Sequence, residues 1–119
     1  MLNSILRAAL GALAAVAVSQ SALAQKTPYP VKPIRMIVGF AAGGGTDMLA
    51  RILAVRMTEV LGQPVIIDTR AGAGGTIAAE IVARANPDGY TLNAPTNSYA
   101  VNASFSKLPY DPIPDITPI

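Results

Sequence analysis

The chain of 119 residues contains no cysteine and no histidine. The first absence excludes disulfides and lipid attachment through an N-terminal cysteine. The second removes the commonest general base and the commonest metal ligand. Together they leave no conventional hydrolytic triad, and no G-x-S-x-G motif is present. Charge is also scarce: nine basic and seven acidic residues give a net +2. That is no electrostatic footprint for nucleic acid or for an anionic membrane. Long hydrophobic runs are missing too, since the main apolar stretch, Ala8–Val18, is too short to span a bilayer.

What is present begins with an export pattern. One early positive charge, Arg7, precedes the apolar run Ala8–Val18, and Ala22-Leu23-Ala24 supplies the small-x-small pattern cut by signal peptidase. Residues 1–24 therefore read as a secretory signal with cleavage after Ala24, leaving a mature chain from Gln25 that is periplasmic and not membrane-spanning. Without Arg7 the mature chain carries eight basic residues against seven acidic ones.

Gln25–Pro33 is a proline-rich, extended lead-in. The largely apolar run Ile34–Phe40, interrupted by Arg35, predicts a strand covered on both faces. Gly43, Gly44 and Gly45 follow, with Thr46 and Asp47 where a helix takes its N-cap and first turn. The helix is expected over about Asp47–Leu61. Its apolar face would be Leu49, Ile52, Leu53, Val60 and Leu61, with Asp47 and Arg51 pairing on the surface. Gly62 and Pro64 stop it. Val65–Asp68 predicts a second strand, Thr69–Thr76 a second glycine-rich loop, and Ile77–Ala85 a second helix. After the turn Asn86-Pro87-Asp88-Gly89, Tyr90–Ala94 predicts a third strand ended by Pro95. Thr96–Ser98 is a polar loop, Tyr99–Ser106 a short helix, and Leu108–Pro118 a proline-rich stretch. This βαβαβ order is α/β, the partial form of a doubly wound parallel sheet.

Four chemistries are weighed against these loops. Gly39–Thr46 approaches a P-loop, but Gly45 stands where the phosphate-binding lysine belongs. Neither glycine loop meets G-x-G-x-x-G. The carboxylates Asp47, Asp68, Asp111 and Asp115 show no pairing that suits hydrolysis. The fourth chemistry is binding of a small anion without catalysis. In a parallel sheet, Gly43–Gly45, Gly72–Gly75 and Thr96-Asn97-Ser98 emerge at one carboxyl edge, offering backbone amides and small polar side chains. No cofactor is required.

The segments YPVKPIRMIVGFAAGGGTDMLAR, LGQPVIIDTRAGAGGTIAAEIVARANPDGYTL and LPYDPIPDITPI carry a resemblance that runs from Tyr29 to Ile119. The chain resembles the substrate-binding proteins of tripartite tricarboxylate transporters, also called the Bug family. The resemblance implies the first lobe of a periplasmic-binding-protein-like two-lobed clamshell. It implies capture of a small carboxylate and its delivery to membrane permease subunits, with no enzymatic activity and no nucleic-acid partner. The ligand contacts it implies are Ala42, Gly43, Gly44, Gly45, Thr46 and Asp47 after strand one. Gly72, Ala73, Gly74 and Gly75 follow after strand two, and Thr96, Asn97 and Ser98 after strand three. Ala41-Ala42 stands where the family commonly has prolines. Asp68-Thr69-Arg70-Ala71 replaces an acidic-Asn-Arg-Pro turn, and Asn93 and Pro95 interrupt a strand that is usually apolar.

Family members continue through a second lobe, so residues 25–119 are expected to be an incomplete N-terminal lobe that binds poorly. Two alternatives come from other classes. One is a module reporting a bound carboxylate to a membrane sensor kinase. The other is a phosphate-binding α/β enzyme, which the missing lysine and histidine disfavour.

Overall fold

The computed structural model describes residues 28–119, so the expected export segment, residues 1–24, and its expected cleavage site fall outside the described residues. The elements are β1 (Ile34–Val38), α1 (Gly45–Leu61), β2 (Val65–Thr69), α2 (Thr76–Ala83), β3 (Thr91–Ala94) and α3 (Ser98–Phe105). The predicted order holds, with ends shifted by one or two residues and strand one ending at Val38 rather than Phe40.

β1 is the central strand, paired in parallel with β2 on one side and β3 on the other. Ile37 sits opposite Asp68 in β2 and Asn93 in β3. Centrality explains its composition, because a strand covered on both faces needs apolar residues at odd and even positions alike. Ile34, Met36, Ile37 and Val38 are all buried, and only Arg35 of the strand reaches solvent. Met36 and Val38 face α1 through Ala50, with Met57, Val65, Ile67, Leu92 and Ala94 around them. On the other parity Gly39 lies against Ala78 of α2. The helices thus cover both faces, as in a doubly wound sheet.

Two expectations for α1 are corrected. The face expected to be buried is outward: Leu49, Ile52, Leu53 and Val60 are more than half exposed. The buried stripe is Asp47, Ala50 and Ala54. Small residues let the helix lie close to the sheet, and the bulky side chains are left on the far side. The N-cap is also not Thr46. Gly44 holds that position in extended geometry with no side chain to cap, and the helix starts at Gly45. At the other end Gly62 takes the left-handed conformation and donates to the Thr58 carbonyl at 3.0 Å, as expected of a C-terminal glycine.

The lead-in is pinned to the amino edge of the sheet. Tyr29 packs on Tyr90 with ring centroids 5.0 Å apart, and its hydroxyl donates to the Gly89 carbonyl at 2.6 Å. The Tyr90 hydroxyl accepts the Val31 amide at 2.9 Å, and Lys32 lies over the Tyr90 ring. The Asn86–Gly89 turn therefore anchors the incoming chain at the edge opposite the glycine loops.

Candidate functional site

Because all three strands run parallel, the segments after β1, β2 and β3 leave the sheet at the same carboxyl edge. The chain turns from β1 toward β2 on one side, while β3 lies on the other. Open α/β sheets bind ligands where neighbouring strands send their loops in opposite directions, here between β1 and β3.

The first loop is organised by one turn and one carboxylate. Gly44 donates to the Ala41 carbonyl at 3.1 Å, closing a turn in which Gly43 has φ 81°. That angle is the left-handed value a glycine supplies at little steric cost. Asp47, the third residue of α1, is 2% exposed and is the one buried polar residue among the described residues. Its Oδ2 accepts the Gly43 amide and Arg51 Nε, both at 2.9 Å, and its Oδ1 receives a longer contact from Thr69 Oγ1 at 3.4 Å. The expected Asp47–Arg51 pair forms, but with a buried acid rather than on the surface. The Arg51 guanidinium, then the Gly43 amide, hold the carboxyl below the usual aspartate range. Met48 makes the first bond of the helix, to the Gly44 carbonyl at 2.9 Å. Among the described residues, the amides of Gly45, Thr46 and Asp47 have no backbone acceptor. These are the orphan donors of a helix N-terminus, at the positive end of its dipole.

The second loop is a left-handed turn. Ala73, Gly74 and Gly75 have φ 47°, 61° and 92°, and Gly75 donates to the Gly72 carbonyl at 2.9 Å. It is tied to the third segment. The Gly74 carbonyl accepts Ser98 Oγ at 2.9 Å and Asn102 Nδ2 at 3.1 Å. Thr96 and Ser98 hydroxyls are 2.8 Å apart. Ser98, expected in a loop, is the first residue of α3, and exposed Asn97 is its N-cap without a side-chain capping bond.

Gly74, Gly75, Thr96 and Ser98 line one crevice with Gly39, Phe40, Asn93, Tyr99, Asn102 and Tyr110. The crevice is small, with room for about one ordered water. Burial raises the pKa of the Tyr99 and Tyr110 phenols, and Asp111 and Asp115 raise Tyr99 further, so both stay protonated donors at neutral pH. Tyr99 gives its proton to the Pro112 carbonyl at 2.7 Å. The structure thus joins the second and third loops directly. Ala42, Gly43, Gly44, Gly45, Thr46 and Asp47 share their edge but do not line the crevice, nor do Gly72, Ala73 and Asn97.

Gly39, Phe40, Asn93, Asn102, Tyr99 and Tyr110 were not expected at the site. Gly39 carried a signal, as a glycine closing a buried apolar run, because a Cβ there would come 2.7 Å from Gly75 Cα. Asn102 and Tyr110 are brought in only by the fold. Among the described residues, no group of three or more His, Cys, Asp or Glu is placed to hold a metal ion. No described helix is long and apolar enough to cross a membrane.

This geometry meets a consistent set of likenesses. The family described as "Tripartite tricarboxylate transporter family receptor" matches residues 49–119. Protein BugT of Bordetella pertussis is 43% identical over 94 residues, covering 76% of this chain and 29% of that protein. MatC from Rhodopseudomonas palustris, solved with bound malate, is 46% identical with a TM-score of 0.66. The match covers 76% of this chain and 32% of MatC. A structure described as a periplasmic transporter is 52% identical with a TM-score of 0.65, covering 71% of this chain and 29% of its own. The chain thus spans about a third of the length of these relatives. With residues 49–119 matched and its sheet superimposed on theirs, it belongs to the tripartite tricarboxylate transporter receptor family.

Proposed function

We propose that this chain is the amino-terminal part of a periplasmic receptor that seats a small carboxylate and presents it to membrane permease subunits. The observation that carries the reading is the amides of Gly45 and Thr46, which among the described residues have no backbone acceptor, at the same sheet edge as Gly72–Gly75 and Thr96–Ser98. A carboxylate needs several convergent donors, and charge-assisted bonds to backbone amides are the stronger kind. No step calls for a nucleophile or a base, which suits a chain without cysteine or histidine. The malate bound by MatC is of this ligand class.

These residues cover one side of such a ligand. A seat open to water gains little from each hydrogen bond, because the ligand exchanges water for protein at small net benefit. A fully enclosed seat would need the further length that the relatives have. Titration calorimetry of the 119-residue chain with malate, citrate and glutamate tests the reading. Dissociation constants on the order of 1 mM are expected, equivalent to about 4 kcal/mol. Micromolar affinity would overturn the one-sided seat, and the absence of heat with any carboxylate would overturn the receptor reading for this chain. Retention of permease subunits from solubilised membranes, rather than a sensor kinase, is the expected result of a pull-down.

A further inference from the structure

We propose that Asp47 is a positioning residue, the protein's own anion at the start of α1, and that Arg51 neutralises it so that a second anion can approach the free amides beside it. This deepens the proposed function and rests on it. The resemblance places Asp47 among the ligand contacts, yet its side chain is 3% exposed and points its acceptors at Gly43, Arg51 and Thr69. A group so enclosed cannot reach a ligand with its carboxylate. It does what a capping-box acid does, reaching back from the third helical residue to an amide before the helix.

Three consequences follow from the bonds. The Gly43 amide is withdrawn from any ligand. The turn Ala41–Gly44 is fixed to α1 through Asp47, and more loosely to the end of β2 through Thr69. The remaining donors, the amides of exposed Gly45 and half-buried Thr46, are left without a backbone acceptor among the described residues. A carboxylate there would by itself repel an anionic ligand within one turn of the helix. Arg51, one turn further on, cancels that charge while keeping its own head in solvent, 57% exposed. Among the described residues, Arg51 is the one charged group found to act on Asp47. From β2 only the Thr69 hydroxyl faces it. The neighbouring Asp68 is engaged by Arg35 and Arg70, and from β1 the side chains toward α1 are Met36 and Val38.

A pH titration of amide NMR shifts tests the latch without any ligand. The Gly43 amide proton is expected to titrate with a midpoint below the ordinary aspartate value of about 3.9. The transition should vanish in Asp47→Asn and move upward in Arg51→Gln. A Gly43 amide that does not titrate, or a midpoint indifferent to Arg51→Gln, overturns the proposal. A second arm uses malate. Arg51→Gln is expected to weaken malate binding about threefold to tenfold at low salt and less at high salt, while Arg51→Lys restores most of it. Equal affinity in wild type and Arg51→Gln at low salt would refute the neutralising role. If Gly43 titrates as expected but no carboxylate shifts any loop amide, the latch stands and the receptor reading falls.

Discussion

Replacing Gly39 by alanine should be damaging for so small a substitution near the site. Gly39 follows β1 directly, and its backbone angle is one any residue adopts, so the cost is purely steric. A Cβ there would lie 2.7 Å from Gly75 Cα and 3.1 Å from the Ala78 Cβ, whereas ordinary contact begins near 3.4 Å. The obstructing atom is backbone, so relief requires moving the second loop, whose Gly75 also packs against Phe40. Overpacking of this kind costs about 1–3 kcal/mol. Alanine recovers about 0.5 kcal/mol by restricting the unfolded chain, which leaves a net loss of about 1.5 kcal/mol. For a domain of this size that lowers the melting temperature by about 6–12 °C. Two nearby glycines are the controls. Gly43→Ala meets nothing within 4 Å but must hold φ 81°, costing about 1 kcal/mol. Gly45→Ala meets nothing, lies at the start of a helix and should gain about 0.5 kcal/mol. Thermal melts followed by far-ultraviolet circular dichroism rank the three. A Gly39→Ala melt within about 2–3 °C of wild type, where about 6 °C or more is expected, would refute the packing argument.

Other outcomes follow from the same structure. Ala73 is the one described non-glycine residue with positive φ, at 47°, so Ala73→Gly should raise stability by about 0.5–1 kcal/mol in the same melts. Asp47, Asp68 and Asp88 are all held below the usual aspartate range, by Arg51, by Arg35 with Arg70, and by the Tyr90 amide with Lys32 respectively. Groups with lowered folded pKa stabilise above their unfolded value and lose that contribution as pH falls through the folded one. The melting temperature should therefore be flat from neutral pH down to about 5 and fall steadily below about 4; a fall centred near pH 6 would contradict these assignments. On α1, Leu53→Gln should change stability by less than about 0.5 kcal/mol, while the adjacent Ala54→Leu should cost about 1–3 kcal/mol. Urea unfolding distinguishes the two, and the reverse order would mean that the helix faces the other way.

The sequence made the element order legible because each signal was local. The run Ile34–Val38 has too few polar residues for an edge strand, and Gly62 and Pro64 stop α1 within a few residues. Which face of α1 packs inward was not legible. The helix carries leucine, isoleucine and valine on one side and alanine on another, and bulk alone points the wrong way. Close approach to the sheet favours Ala50 and Ala54, a property of two surfaces together rather than of one pattern. The shared edge of the three loops followed from βαβαβ order. The Gly39–Gly75 contact, the Ser98 and Asn102 bonds to Gly74 and the inward turn of Asp47 did not. Each joins residues separated in sequence or depends on a rotamer that no spacing specifies.

The account stands on backbone amides at one edge of the sheet as the seat for a carboxylate, and amide-shift mapping with malate and with its neutral diamide tests it most directly. Malate should move Gly45 and Thr46 most, then residues of 72–75 and 96–98, and the diamide should move none of them. Shifts centred on Tyr29, Gly89 and Tyr90 at the opposite edge, or equal shifts with the diamide, would contradict it.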